Sequence, residues 1–145
     1  MDPFKKNQIG TTDFYVPCLG VGTAPLAGNT LAGGLYGGVD LDQAVTIINH
    51  AYDEGIRYFD TAPLYGTGRA EYRLSLSKLP SVKRNSFIIS SKVGRVIHPD
   101  TYKQNQKYEQ LDDLIATNSW TEKNVLLSVE QSLKRLNLKK IGQII

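Results

Sequence analysis

The pattern of apolar and polar positions predicts two helices in the first part of the chain. Apolar residues recur at helical spacing over residues 41–52, where Asp40 and Gln43 have the spacing of a capped helix start and Gly55 marks the end. A shorter helix is predicted over residues 70–79, which a proline follows. Each helix is expected to bury one face.

A third helix is predicted to begin at Ser119, because Glu122 follows at the capping spacing. Four apolar residues mark its buried face: Val125, Val129, Leu133 and Leu136. Residues 94–118, before this helix, contain no clear element apart from a helical turn predicted over residues 111–115. Loops of that length in compact domains commonly cover a site.

Short runs of β-branched and aromatic residues predict the strands. A hairpin is expected from residues 6–9 and 14–17, followed by strands over residues 18–23, 56–60, 87–93 and 141–145. The glycine-rich residues 24–40 lack the spacing of a phosphate or dinucleotide motif and are interpreted as a loop. After the hairpin the order is β-α-β-α-β-α-β, which favours a parallel sheet or barrel with right-handed crossovers.

Composition narrows the class of protein. A chain of 145 residues suits one domain, predicted here over residues 1–145, and 41% hydrophobic with 21% charged residues is ordinary for a soluble protein. The net charge of +3 carries no basic stripe, so nucleic-acid binding is not expected. No apolar run is long enough to span a membrane and residues 1–6 do not resemble a secretory signal, so no membrane is expected as a partner and the location is predicted to be cytoplasmic. A single cysteine excludes an internal disulfide, and no metal site is predicted.

Three polar side chains follow two of the predicted strands. Asp60 ends one strand, Lys92 ends the next, and Tyr65 lies in the loop after Asp60. Because parallel strands present their carboxyl ends at the same edge, we expect these side chains to converge there.

Together the three residues could form a general acid. A free phenol has a pKa of about 10, and a neighbouring ammonium lowers it by favouring the phenolate. Asp60 would keep Lys92 charged and oriented, so that Tyr65 could protonate the oxyanion that forms on a carbonyl. No side chain here can donate hydride, and a nicotinamide cofactor is therefore expected.

These residues lie in stretches that resemble the aldo-keto reductases. Residues 55–71 are similar to the N-terminal signature of that family, and residues 90–94 to its lysine-bearing third barrel strand. Residues 20–26 and 132–136 also resemble the family. Residues 62–66 and 92–95 look most like its aldose 1-dehydrogenase branch, which oxidises sugars such as fucose, arabinose or threo-aldoses.

The resemblance implies the N-terminal half of a (β/α)8 TIM barrel, with a hairpin at its bottom and about four βα units. It implies NADP or NAD as cofactor and an aldose or aldehyde as substrate. Tyr65 would be the acid/base, Lys92 its partner, and Asp60 the residue beside both lysine and cofactor. Gly22 and Thr23 would lie near the nicotinamide. A catalytic histidine and the remaining strands are expected after residue 145, so weak or no activity is predicted for this chain alone.

Two alternatives to an enzyme stay open at the level of sequence. One is a non-catalytic interaction module, in which the uncovered strand edges of a half-barrel pair with a second copy or another chain. The other is a truncated fragment without a function of its own. The substrate, the choice between NAD and NADP, and the oligomeric state are also open.

Overall fold

A four-stranded parallel sheet with helices against one face forms the centre of the molecule, as seen in a computed structural model that describes residue 2 and residues 4–28, 38–98 and 114–145. The strands are β1 (Lys6–Gln8), β2 (Tyr15–Pro17), β3 (Val21–Gly22), β4 (Tyr58–Asp60), β5 (Ile88–Ser91), β6 (Arg95–His98), β7 (Ile115–Asn118) and β8 (Gln143–Ile144). The helices are α1 (Leu41–Asp53), α2 (Arg69–Leu76) and α3 (Glu122–Leu136). Within these ranges, no helix combines the length and apolar character needed to cross a membrane.

The sheet has the order β3-β4-β5-β8, and its neighbouring strands are parallel. One helix connects each pair of consecutive strands: α1, α2 and then α3. This is the predicted succession of βα units. The predicted N-terminal hairpin is also present, since β1 and β2 pair antiparallel.

Alternation along the strands separates a packing face from a polar face. Phe59 of β4 and Ile89 of β5 are register partners, and both are buried against the helices. The core around them contains Leu26, Ala44, Ile48, Leu74, Leu79, Phe87 and Leu136. Asp60 and Ser90, one position later on each strand, are also partners and therefore lie on the opposite face. Packing against the helices thus fixes which residues lie on the opposite face, where Asp60 is partly exposed and Ser90 is buried.

The boundaries of α1 are those predicted. The Asp40 carboxylate accepts a hydrogen bond of 2.7 Å from the Gln43 backbone N–H, and Gly55 has a φ of +97° just past the end. The glycine-rich segment before α1 was predicted to be a loop. Its residues 29–37 lie outside the described residues, and Ala24–Ala27 forms a short 3-10 helix.

The predicted start of α3 at Ser119 is wrong. Thr121 is the N-cap, with its hydroxyl accepting a 3.3 Å hydrogen bond from the Asn124 backbone N–H. The Ser119 backbone N–H instead donates to the Gly94 carbonyl at 3.0 Å, which holds Ser119 at the end of the preceding strand pair. Its hydroxyl accepts from the side-chain amide of Asn124 at 2.6 Å. A tertiary hydrogen bond therefore moves the helix start by two residues.

The segment predicted to lack clear elements contains an antiparallel strand pair. β6 and β7 pair from Arg95 with Asn118 to His98 with Ile115. The helical turn predicted over residues 111–115 is wrong at Ile115, which is in β7, while residues 111–113 lie outside the described residues. The Gln131 side chain of α3 accepts from the Ile97 N–H at 3.0 Å and donates to its carbonyl at 3.1 Å. These contacts attach the strand pair to the helix.

Candidate active site

Asp60 and Lys92 form an ion pair at the carboxyl edge of the sheet. Asp60 is the last residue of β4, and Lys92 directly follows β5. The Lys92 Nζ donates to the two carboxylate oxygens of Asp60 at 2.9 and 3.0 Å and to the Thr61 carbonyl at 3.1 Å. The side chains of Lys92 and Asp60 are 34% and 32% exposed, respectively, so a ligand can reach the pair.

Tyr65 lies on the same side of the sheet as this pair. The Lys92 Nζ is 5.1 Å from the centroid of the Tyr65 ring, a cation–π distance. The turn that carries the ring is defined by Gly66, which has a φ of +60°. A Cβ at that position would lie 2.6 Å from the Ala27 carbonyl oxygen, so only glycine fits without moving the backbone. The structure therefore brings together all three residues that the sequence predicted to converge.

The surroundings of Lys92 favour its charged form. Partial burial lowers its pKa, but the hydrogen bond and negative charge of Asp60, followed by those of Tyr65, outweigh burial, and the pKa is raised above the ordinary 10.5. The stabilisation that comes from the charge of Lys92 is therefore complete below that ordinary value. It is lost on the alkaline side, as the pH rises through the higher pKa of Lys92 in the folded protein.

Replacing Asp60 with asparagine is expected to lower the pKa of Lys92, because the burial that opposes the charge remains while the main stabilising anion is removed. Nitrogen-detected NMR titration of the Lys92 amine measures this change. Asp53→Asn provides the control. It removes the carboxylate of Asp53, a residue of α1 that forms an exposed ion pair with Lys78. An unchanged Lys92 pKa in Asp60→Asn would show that the ion pair does not set the charge of this lysine.

The two predicted cofactor residues lie beside Asp60 on the neighbouring strand. Gly22 of β3 is the register partner of Asp60, and a Cβ built on Gly22 would meet no atom within 4 Å. Thr23 is fully buried, and both its backbone N–H and its hydroxyl donate to the Asp60 carbonyl at 2.9 Å. Space thus lies open above Gly22, while Thr23 holds the backbone of Asp60.

A second group of polar residues, which was not predicted from the sequence, lies behind the sheet, on the face that the helices cover. Glu71 of α2 forms a fully buried ion pair with Arg135 of α3, and the Ser91 hydroxyl of β5 donates to the same carboxylate. One sequence signal could have pointed to it. α2 carries charged residues at 69, 71 and 73 although it connects two strands of the central sheet, and buried charges need partners.

Comparison with known proteins identifies the fold. Residues 18–144 match the aldo/keto reductase family. The chain belongs to this family. It is 33% identical over 132 residues to the D-threo-aldose 1-dehydrogenase of a Pseudomonas species, covering 87% of this chain and 38% of that protein. It is 42% identical over 93 residues to the pyridoxal 4-dehydrogenase of Microbacterium luteolum, covering 64% and 25%.

Solved structures of aldo/keto reductases match the architecture. The holo form of aldo-keto reductase AKR11C1 from Bacillus halodurans superposes with a TM-score of 0.68 and 27% identity, covering 95% of this chain and 38% of that one. The predicted partial (β/α)8 barrel is therefore confirmed. This chain spans less than two fifths of the length of each of these three relatives.

Proposed function

We propose that this aldo/keto reductase is an NAD(P)-dependent oxidoreductase that transfers hydride between nicotinamide and the C1 carbonyl of an aldose or a related aldehyde. The observation that carries the proposal is the Lys92 amine, bound to the Asp60 carboxylate and close to the Tyr65 ring at one edge of the sheet. The similarity to a D-threo-aldose 1-dehydrogenase supports the aldose as substrate class.

Tyr65 is the proposed acid/base. Its phenolate, stabilised by the adjacent ammonium of Lys92, takes the proton from the C1 hydroxyl of a cyclic sugar as the C1–O bond becomes a double bond. In the reverse direction the phenol gives that proton to the oxygen of the carbonyl. Asp60 keeps Lys92 protonated through both directions, since it is the larger of the two influences that raise the pKa of Lys92. The chemistry that a bound nicotinamide supplies is acceptance or donation of the hydride at C1.

The residues present fit the nicotinamide end of such a cofactor. Gly22 leaves open space, and its register partner Asp60 presents a partly exposed carboxylate that can accept hydrogen bonds from ribose hydroxyls. Thr23 completes the proposed cofactor site by fixing the Asp60 backbone through two hydrogen bonds. Aldo/keto reductases use NAD(P), and the proposal includes both forms.

A spectrophotometric assay of reduced nicotinamide tests the proposal. The protein, in the form that its gene encodes, is incubated with fucose, arabinose or a threo-aldose and either NAD or NADP. If that form extends beyond residue 145, residues 1–145 alone are assayed beside it. We expect turnover by a protein that contains the complete barrel, and little or none by residues 1–145 alone, because the family resemblance places the catalytic histidine and the remaining strands outside these residues. A folded full-length protein that reduces neither nucleotide with any aldose or with pyridoxal would refute the proposal.

Pyridoxal is a second candidate substrate. The identity to pyridoxal 4-dehydrogenase is 42% over 93 residues, which is higher than the identity to D-threo-aldose 1-dehydrogenase but covers a shorter stretch. The same three residues would serve its aldehyde group, since only the carbonyl reacts. The ratio of kcat/KM for the aldoses to kcat/KM for pyridoxal, measured in the same assay, decides between the two substrate classes.

A further inference from the structure

The buried polar group behind the sheet connects three elements, α2, β5 and α3, which belong to two successive βα units. The Arg135 Nε donates to Glu71 Oε2 at 2.5 Å, and both side chains are fully inaccessible to solvent. The Ser91 hydroxyl donates to the other oxygen, Oε1, at 2.7 Å. Arg135 also donates through Nη2 to the Ser132 hydroxyl at 3.0 Å. Each oxygen of the carboxylate is thus bound by a different element: one by β5 and one by α3.

Two of these residues are joined through the backbone to the proposed catalytic residues. Ser91 directly precedes Lys92 in the chain. Glu71 is in the first turn of α2, and its neighbour Ala70 donates its backbone N–H to the Tyr65 carbonyl at 3.2 Å. On the other side of the sheet, Lys92 lies beside the Tyr65 ring. Tyr65, Glu71, Ser91 and Lys92 are therefore linked in a ring, partly by these contacts and partly by the backbone.

We propose that Glu71 is a positioning residue. By accepting the hydrogen bond of Ser91, it holds the turn that carries Tyr65 against β5, the strand that directly precedes Lys92. This inference rests on the proposed function for its consequence in catalysis. A hydrogen bond from a buried hydroxyl to a carboxylate is short, directional and charge-assisted, so it constrains the two elements more tightly than apolar contact does. Arg135 supplies the opposite charge that allows the carboxylate to remain ionised in the interior.

The ion pair itself is a poor target for the test, because removal of either charge threatens folding. Ser91→Ala is milder, since it deletes one hydroxyl and leaves Glu71 and Arg135 paired. Ser132→Ala is the matched control. It also deletes one fully buried hydroxyl bonded to the same ion pair, but the Ser132 hydroxyl accepts from Arg135 of the same helix, α3, so its hydrogen bond does not join α2 to β5.

Both variants are made in the full-length protein, and two independent properties are measured. The first is the pKa of the Lys92 amine, obtained by nitrogen-detected NMR. The second is kcat and KM in the nicotinamide assay. For Ser91→Ala we expect a Lys92 pKa nearer its ordinary value, together with a kcat about 10- to 100-fold lower and little change in KM, because small displacements of reacting groups have effects of this size. For Ser132→Ala we expect both properties to match the unsubstituted protein.

Equal Lys92 pKa and kcat in Ser91→Ala and the unsubstituted protein would overturn the inference, and so would equal changes in Ser91→Ala and Ser132→Ala. Failure of the proposed function has a different result: an unsubstituted protein without nicotinamide-linked activity. In that case the NMR titration still decides whether Ser91 and Glu71 position Lys92, since it needs no turnover.

Discussion

Replacement of Tyr65 by phenylalanine is expected to lower kcat/KM for the proposed aldose oxidation by about 10²- to 10⁴-fold while the protein remains folded. The expected loss is that of general acid–base catalysis, because phenylalanine keeps the ring but lacks the group that exchanges the proton. The ring contact with Lys92, at 5.1 Å from the amine, does not need the hydroxyl. Steady-state kinetics with the full-length protein measures the loss, and circular dichroism checks the fold.

Tyr52→Phe is the matched control for this prediction. It deletes the same phenolic hydroxyl, but that of Tyr52 forms a 2.9 Å hydrogen bond with Ser86, before the amino end of β5 and away from Lys92. Activity close to that of the unsubstituted protein is expected. If Tyr65→Phe were as active as Tyr52→Phe, another group would have to exchange the proton, and the role proposed for Tyr65 would be wrong.

The meeting of Asp60, Tyr65 and Lys92 could be predicted from sequence because it depends on one general property of parallel sheets. Strands in register present their carboxyl ends at a common edge, and the register pairs Asp60 with Ser90, two residues before Lys92. Side chains at those ends therefore converge whatever the details of packing. The short β-branched and aromatic runs of β4 and β5 were enough to locate them.

The β6–β7 pair could not be predicted in the same way. Its strands are separated by residues 99–114, and a pairing across such a distance has no local turn signal. The helix that stabilises it contributes Gln131, whose amide binds the backbone of Ile97 from 34 residues away. Local sequence patterns therefore extended a helical turn to Ile115, where tertiary contacts form a strand.

The buried charges were missed for a related reason. Glu71 and Arg135 are 64 residues apart in the sequence. Each lies on a predicted amphipathic helix, where a charged residue is ordinarily assigned to the solvent-facing side. Only the packing of α2 against α3 shows that both are inaccessible. A charged residue on a helix that connects two strands of a central sheet is thus a reason to search for a partner of opposite charge elsewhere in the sequence.

Replacement of Glu71 by alanine is expected to destabilise the protein by about 3–5 kcal/mol, because it leaves the fully buried guanidinium of Arg135 without its carboxylate. A loss of this size is a large part of the total stability of about 5–15 kcal/mol that most domains have. Urea unfolding of the full-length protein, followed by circular dichroism, measures it. Asp53→Ala is the control: it breaks an exposed pair with Lys78, for which a change below about 1 kcal/mol is expected.

A double substitution separates the structural cost of the charge from the positioning role of the carboxylate. In Glu71→Leu/Arg135→Met both charges are absent, and apolar side chains of similar size commonly restore the stability of a buried pair. We therefore expect an unfolding midpoint well above that of Glu71→Ala. The Ser91 hydroxyl has lost its acceptor in this variant, however, so kcat should stay low although the fold is recovered. Recovery of both stability and kcat would assign Glu71 to folding alone, because a protein that reaches full activity without the carboxylate does not need it to position Lys92.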